Sequence, residues 1–100
     1  MNRLKSNNLP YYLSVLGSTL VFWGSPTCPM CKEILKELDT EKLRGSGLEF
    51  LYIDGTRWEK LCDDWEIEVY PTIMIFDKNM DMEGKYEGND IEELLIEINQ

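Results

Sequence analysis

Residues 18–35 read Ser-Thr-Leu-Val-Phe-Trp-Gly-Ser-Pro-Thr-Cys-Pro-Met-Cys-Lys-Glu-Ile-Leu. The first seven are β-rich and almost continuously apolar, as in a central strand covered on both faces. Pro29 then stands where a first helical residue would, because its missing N–H is no loss there. Met30, Ile34, Leu35 and Leu38 mark one helical face, and Lys32, Glu33, Lys36 and Glu37 cover the other. The stretch predicts a strand feeding a helix, with Cys28 as the N-cap and Cys31 one turn along.

That placement carries chemistry. A sulfur at the N-cap faces backbone N–H groups of the first turn that have no helical partner. Those donors and the positive end of the helix dipole favour a thiolate over a thiol, and Lys32 adds a nearby positive charge. After Cys28 attacks a disulfide, Cys31 is placed to attack the Cys28 sulfur in turn, which makes release of product intramolecular. A Cys-x-x-Cys pair also occurs as half of a zinc site. Here the other half is missing: the chain has no His, and Cys62 is the one further thiol. The absence of His also removes Cys–His and Ser–His nucleophile pairs. No cofactor and no metal is expected.

One hundred residues predict one domain, residues 1–100, with 43% apolar and 29% charged residues as in ordinary globular chains. A formal charge of −9 disfavours nucleic acid and an anionic membrane surface as partners. Arg3 and Lys5 ahead of Tyr11–Trp23 resemble the start of a signal peptide, but Pro10 and Gly17 interrupt the apolar run. Two close cysteines and one remote one suit a reducing compartment, so a cytoplasmic protein is expected.

Outward from the junction, Asn8-Leu9-Pro10 opens a helix that Gly17 stops, with Tyr12, Leu13, Val15 and Leu16 as its apolar face. Arg3-Leu4-Lys5 is a brief edge-strand candidate. The dithiol helix is expected to run from Pro29 to Arg44, ended by Gly45-Ser46-Gly47. Leu48–Asp54 is a strand, and a helix over about 57–66 places Trp58, Leu61, Cys62 and Trp65 on one side. Ile73–Phe76 and Met82–Glu87 form an antiparallel pair around a turn at 77–81. Asn89-Asp90-Ile91-Glu92 reads as a capping box for a last helix with Ile91, Leu94, Leu95 and Ile98 inward. Strands alternating with helices, then a hairpin and a helix, give an α/β sandwich with a mixed central sheet flanked by helices. In Val69-Tyr70-Pro71-Thr72, an aromatic residue before Pro raises the chance of a cis bond. Cys62 is expected to be a buried, inert thiol, and Asp54 a loop-starting acid.

Phe22-Trp23-Gly24, Cys28-Pro29-Met30-Cys31-Lys32, Tyr70-Pro71-Thr72, Phe76 and Gly88 together resemble the thioredoxin family, in order and in spacing, from about residue 9 onward. The resemblance implies the thioredoxin-like three-layer sandwich. It also implies that Pro71 is cis beside the dithiol, and that the Tyr70 backbone pairs with substrate like an added strand. Departures are plain: thioredoxins have Gly-Pro between the cysteines and Trp just before them, where this chain has Pro29-Met30 and Thr27. Their buried Asp falls near Val21 or Phe22, and the Lys that partners it falls at Phe50. Pro in the first intervening position is similar to glutaredoxins, whose glutathione site would want Thr-Val-Pro where Val69-Tyr70-Pro71 stands.

The expected function is thiol–disulfide oxidoreduction on protein disulfides, with Cys28 as nucleophile and Cys31 as resolving thiol. Tyr70, Pro71, Pro29, Met30 and Trp23 are expected to face substrate, although a core place for Trp23 is the simpler account. Lys32 is expected to support the thiolate, and a thioredoxin reductase or glutathione to supply electrons to a monomer. The alternatives are a glutaredoxin-like reductase, including a cluster-binding dimer, and a non-catalytic binding module on the same fold.

Overall fold

β2 (Thr19–Gly24) is the middle strand of a five-stranded sheet and is buried along its whole length, which accounts for its unbroken apolar run. The computed structural model describes residues 2–99. The other strands are β1 (Asn2–Arg3), β3 (Glu49–Asp54), β4 (Thr72–Phe76) and β5 (Met82–Glu87), in the spatial order β1-β3-β2-β4-β5. β1, β3 and β2 run parallel, with Val21 beside Leu51 and Trp23 beside Ile53. β4 runs antiparallel to both β2 and β5. The mixed sheet and the closing hairpin are as expected; the edge strand is Asn2–Arg3, so of the expected Arg3-Leu4-Lys5 only Arg3 belongs to it.

Alternation along β2 sends its side chains into two separate cores. Leu20 and Phe22 join Phe50, Tyr52 and Ile73 under α2 (Pro29–Glu37), α3 (Thr40–Gly45) and α5 (Asn89–Ile98). Val21 and Trp23 join Leu51, Ile53, Met74 and Phe76 on the opposite face, under α1 (Leu9–Leu16) and α4 (Glu59–Asp64). Helices on both faces of one sheet make the three-layer sandwich. No helix among the described residues is long and apolar enough to cross a membrane.

Three local expectations need correction. The dithiol helix does not continue to Arg44: Leu38 takes an extended conformation, and Asp39 starts α3 by accepting the N–H groups of Glu41 and Lys42 at 3.0 and 3.1 Å. A good N-cap acid interrupts a periodicity that would otherwise carry on. The capping box at Asn89 is not formed: Gly88 is the N-cap at φ 55°, and no side chain among the described residues caps the helix. The left-handed turn at Gly88 puts Asn89 already inside the first turn. On α1, Leu9 and Leu13 are buried, whereas Val15 points outward at 64% exposure.

Candidate active site

After Gly24 the chain leaves the end of β2 and turns into α2 through Ser25, Pro26 and Thr27. The Ser25 and Thr27 hydroxyls lie 3.1 Å apart, and the Cys28 N–H donates to the Ser25 carbonyl at 3.2 Å. These bonds fix the approach to the helix. Cys28 is its N-cap in an extended conformation, with Pro29 in the first turn. The Cys31 N–H donates to Cys28 Sγ at 3.2 Å, satisfying one of the orphan donors of the helix end. The Lys32 N–H donates to the Cys28 carbonyl at 3.3 Å, closing the first turn.

All three cysteines carry free thiols; Cys28 is partly exposed, while Cys31 is buried at 1% exposure. Burial, reinforced by the hydrogen bond and charge of Cys28 beside it, pushes the Cys31 thiol up to about 11. The floor beneath the pair is aromatic. Phe22 lies between Tyr52, ring centroids 5.8 Å apart, and Phe50 at 6.3 Å. These two phenylalanines mean that no carboxylate–lysine pair stands there to move a proton. Burial, then the negative charge of Asp54, raises the Tyr52 phenol as well.

Across from the helix end, the Cys28 thiol donates to the Tyr70 carbonyl at 3.9 Å, a long sulfur contact between residues 42 apart in sequence. The Tyr70–Pro71 peptide bond is cis. Tyr70 is 37% exposed, while Pro71 itself is buried, so the face offered to solvent there is that of Tyr70. Pro29 and Met30 are exposed on the other flank; Met30 borders a groove with Ile34, Ile91 and Leu95. The Lys32 side chain is exposed and, among the described residues, makes no hydrogen bond to Cys28 Sγ; its backbone is what holds Cys28.

Trp23 is the expectation that fails. It has no exposed surface and lies in the core on the far side of the sheet, away from α2, so it cannot border a substrate. β2 alternation decides this: Phe22 faces the dithiol helix, and Trp23 must then face α1 and α4. Its indole Nε1 is buried without a hydrogen-bond partner among the described residues. Asp54 starts a loop as expected, accepting both the N–H and the hydroxyl of Thr56 at 2.9 and 2.6 Å. Cys62 is buried, and burial raises its thiol.

The thioredoxin family profile matches residues 6–100. The chain belongs to the thioredoxin family. Among solved structures, Fasciola hepatica thioredoxin superposes with a TM-score of 0.80 at 16% identity, covering 99% of this chain and 97% of that one. Chlamydomonas reinhardtii thioredoxin f2 also reaches 0.80, at 21% identity, covering 100% and 94%. At those identities the likeness speaks for the fold. By sequence, this thioredoxin-family chain is 35% identical over 80 residues to human DnaJ homolog subfamily C member 10, covering 79% of the chain and 10% of that protein. It is 32% identical over 86 residues to chloroplastic 5'-adenylylsulfate reductase 1 of Arabidopsis thaliana, covering 80% and 18%. It is 29% identical over 89 residues to a probable protein disulfide-isomerase ER-60 of Schistosoma mansoni, covering 85% and 18%. The chain thus spans between a tenth and a fifth of these curated relatives.

Gly55 and the Tyr70 side chain belong to the site's surroundings in a way the sequence did not disclose. A glycine after a strand-end acid reads as an ordinary turn residue, and nothing in the sequence pairs it with a tyrosine fifteen positions on.

Proposed function

We propose that this chain reduces or exchanges protein disulfides, with Cys28 as the attacking thiol and Cys31 as the resolving thiol. The observation that carries this is one sulfur's position. Cys28 Sγ is partly exposed at a helix N-cap, accepts the Cys31 N–H at 3.2 Å, and stands 3.9 Å from the Tyr70 carbonyl. Two relatives named for reductive or disulfide chemistry support it.

In the first step Cys28 gives up its proton, and its sulfur attacks one sulfur of the substrate disulfide. The substrate S–S bond breaks, a Cys28–substrate disulfide forms, and the departing thiolate takes a proton. An N–H of the first helical turn already points at the Cys28 sulfur and meets the charge that the step requires. The Tyr70 peptide precedes the β4 ladder, which begins at Thr72, and an extended substrate segment would pair there as an added strand. In the second step Cys31 loses its proton and attacks Cys28 Sγ, releasing the second substrate thiol and leaving a Cys28–Cys31 disulfide. Two electrons from an external thiol donor, a dithiol reductase or glutathione, restore both thiols.

Reduction of insulin disulfides with dithiothreitol as electron source tests this without presuming a physiological donor. The parent should exceed its Cys28→Ser variant to the extent that the variant falls to the uncatalysed rate. Equal rates for the two proteins would overturn the assignment and leave a binding module on this fold. Repeating the assay with NADPH plus thioredoxin reductase, and with NADPH plus glutathione and its reductase, then distinguishes the donors.

A further inference from the structure

Tyr70 touches both faces of the sheet. Its carbonyl stands 3.9 Å from Cys28 Sγ, and its hydroxyl lies 3.6 Å from Cys62 Sγ, in the core opposite the dithiol. The Cys62 thiol donates to the Gly55 carbonyl at 3.7 Å, so its sulfur is left to accept the Tyr70 O–H. Gly55 makes room for the ring. A Cβ at position 55 would overlap the Tyr70 hydroxyl and come within 2.5 Å of two ring carbons. The backbone there cannot draw back, because the Gly55 N–H donates to the Gly24 carbonyl at 2.9 Å at the end of β2. Gly55 does not have a left-handed φ, so the turn itself does not demand glycine. What the missing side chain provides is the Tyr70 seat.

Tyr70 needs such a seat because the residues just before it are sparsely held. Residues 65–71 join α4 to β4 outside the sheet ladder, with Val69 46% exposed and Tyr70 37% exposed. The α4 end is tied down, the Ile67 N–H donating to the Cys62 carbonyl at 2.8 Å and Lys85 Nζ to the Glu66 carbonyl at 3.1 Å. From the β4 side the Thr72 hydroxyl donates to the Val69 carbonyl at 2.7 Å. The ring, held at Gly55 and Cys62, supplies the attachment at Tyr70 itself. A backbone edge anchored at Val69 and through the Tyr70 ring keeps one distance from Cys28.

We propose that Gly55 and Cys62 are positioning residues for substrate capture: they seat the Tyr70 ring and so hold the Tyr70 peptide edge beside the Cys28 sulfur. This rests on the assignment of the dithiol as a protein-disulfide site. Neither residue touches the reacting atoms; both act through Tyr70. Cys62 acts as a hydrogen-bond acceptor, with no change of redox state.

The test is steady-state insulin reduction together with alkylation of Cys28 by iodoacetamide, a reagent too small to need the peptide edge. Gly55→Ala should raise KM about tenfold, since a displaced ring moves the edge, while leaving kcat and the alkylation rate within about twofold. Cys62→Ala, which removes the acceptor, should raise KM about three- to tenfold, the worth of one hydrogen bond, and Cys62→Ser should restore much of that. Tyr70→Phe should match Cys62→Ala, and combining the two should add little further loss, because they remove the same bond. If Gly55→Ala does not fold, as judged by its melting transition, the Cys62 and Tyr70 variants decide alone. Parent-like KM in folded Cys62→Ala and Tyr70→Phe overturns the proposal. An equal fall in insulin turnover and in alkylation also overturns it, since that marks general disruption of the site. A parent protein inactive on insulin would instead defeat the underlying assignment, a result distinct from either.

Discussion

Cys31 and Cys62 are alike in most respects a thiol can be described by. Both are buried, at 1% and 5% exposure, and burial is the first cause that raises each. They lie in the two cores on opposite faces of one sheet, and Tyr70 reaches toward both sites. Their neighbours differ. Cys31 sits one turn from a partly exposed sulfur at a helix N-cap, over a floor of Phe22, Phe50 and Tyr52. Cys62 has a carbonyl, a phenol and no second sulfur within bonding distance among the described residues. Burial makes both thiols poor nucleophiles; in the proposed mechanism only the one beside Cys28 would meet an electrophile, the mixed disulfide.

The two cores should respond differently to truncation, and Trp23 offers the largest effect. Trp23→Ala empties the far core and should cost about 3–5 kcal/mol of stability in urea unfolding. Trp23→Phe also removes an indole N–H that has no partner among the described residues, so its cost should be well below that of the alanine change. Under conditions where Trp23→Phe is folded, Cys28 alkylation should match the parent. A Trp23→Phe protein that melts like the parent but binds substrate poorly would place Trp23 at the surface after all.

A smaller effect, tenfold per pH unit, should separate the steps of the reaction. The floor holds no carboxylate to take the Cys31 proton, and its thiol lies up to about 11. Burial, the largest cause, persists when Cys28 is tied up in a mixed disulfide, although the Cys28 contributions then vanish. A raised thiol is neutral at pH 7, and its thiolate fraction grows about tenfold per unit as pH rises toward its pKa. Release of thionitrobenzoate from its Cys28 adduct, formed at low pH and followed after a jump to pH 7, 8 and 9, should accelerate accordingly. A flat profile would mean that another group takes the proton.

The dithiol junction was legible because its determinants are local: an apolar run, a proline at the helix start, and two cysteines three apart. The break at Leu38–Asp39 was hidden by apolar spacing that persists through Leu43, although Asp39 with two free N–H groups ahead of it is a usable N-cap signal. Asn89 misled for the converse reason: a good capping pattern stood next to Gly88, whose positive φ takes the N-cap position. Trp23 could not be assigned to a face from the unbroken apolar run Leu20–Trp23, since parity becomes visible only once the dithiol helix is seen to cover Phe22. Contacts among Gly55, Cys62 and Tyr70 join three segments whose meeting depends on the sheet order, and no local pattern encodes them.

The central claim is that Cys28 attacks and Cys31 resolves, and peptide-mapped mass spectrometry of the two serine variants tests it most directly. Each variant is incubated with the same protein disulfide and quenched in acid. Cys31→Ser should accumulate a single stable adduct on Cys28, because attack proceeds and no thiol stands by to resolve it. Cys28→Ser should stay unmodified at Cys31, which is buried. An adduct on Cys31 in Cys28→Ser, with none on Cys28 in Cys31→Ser, would reverse the roles and contradict the account.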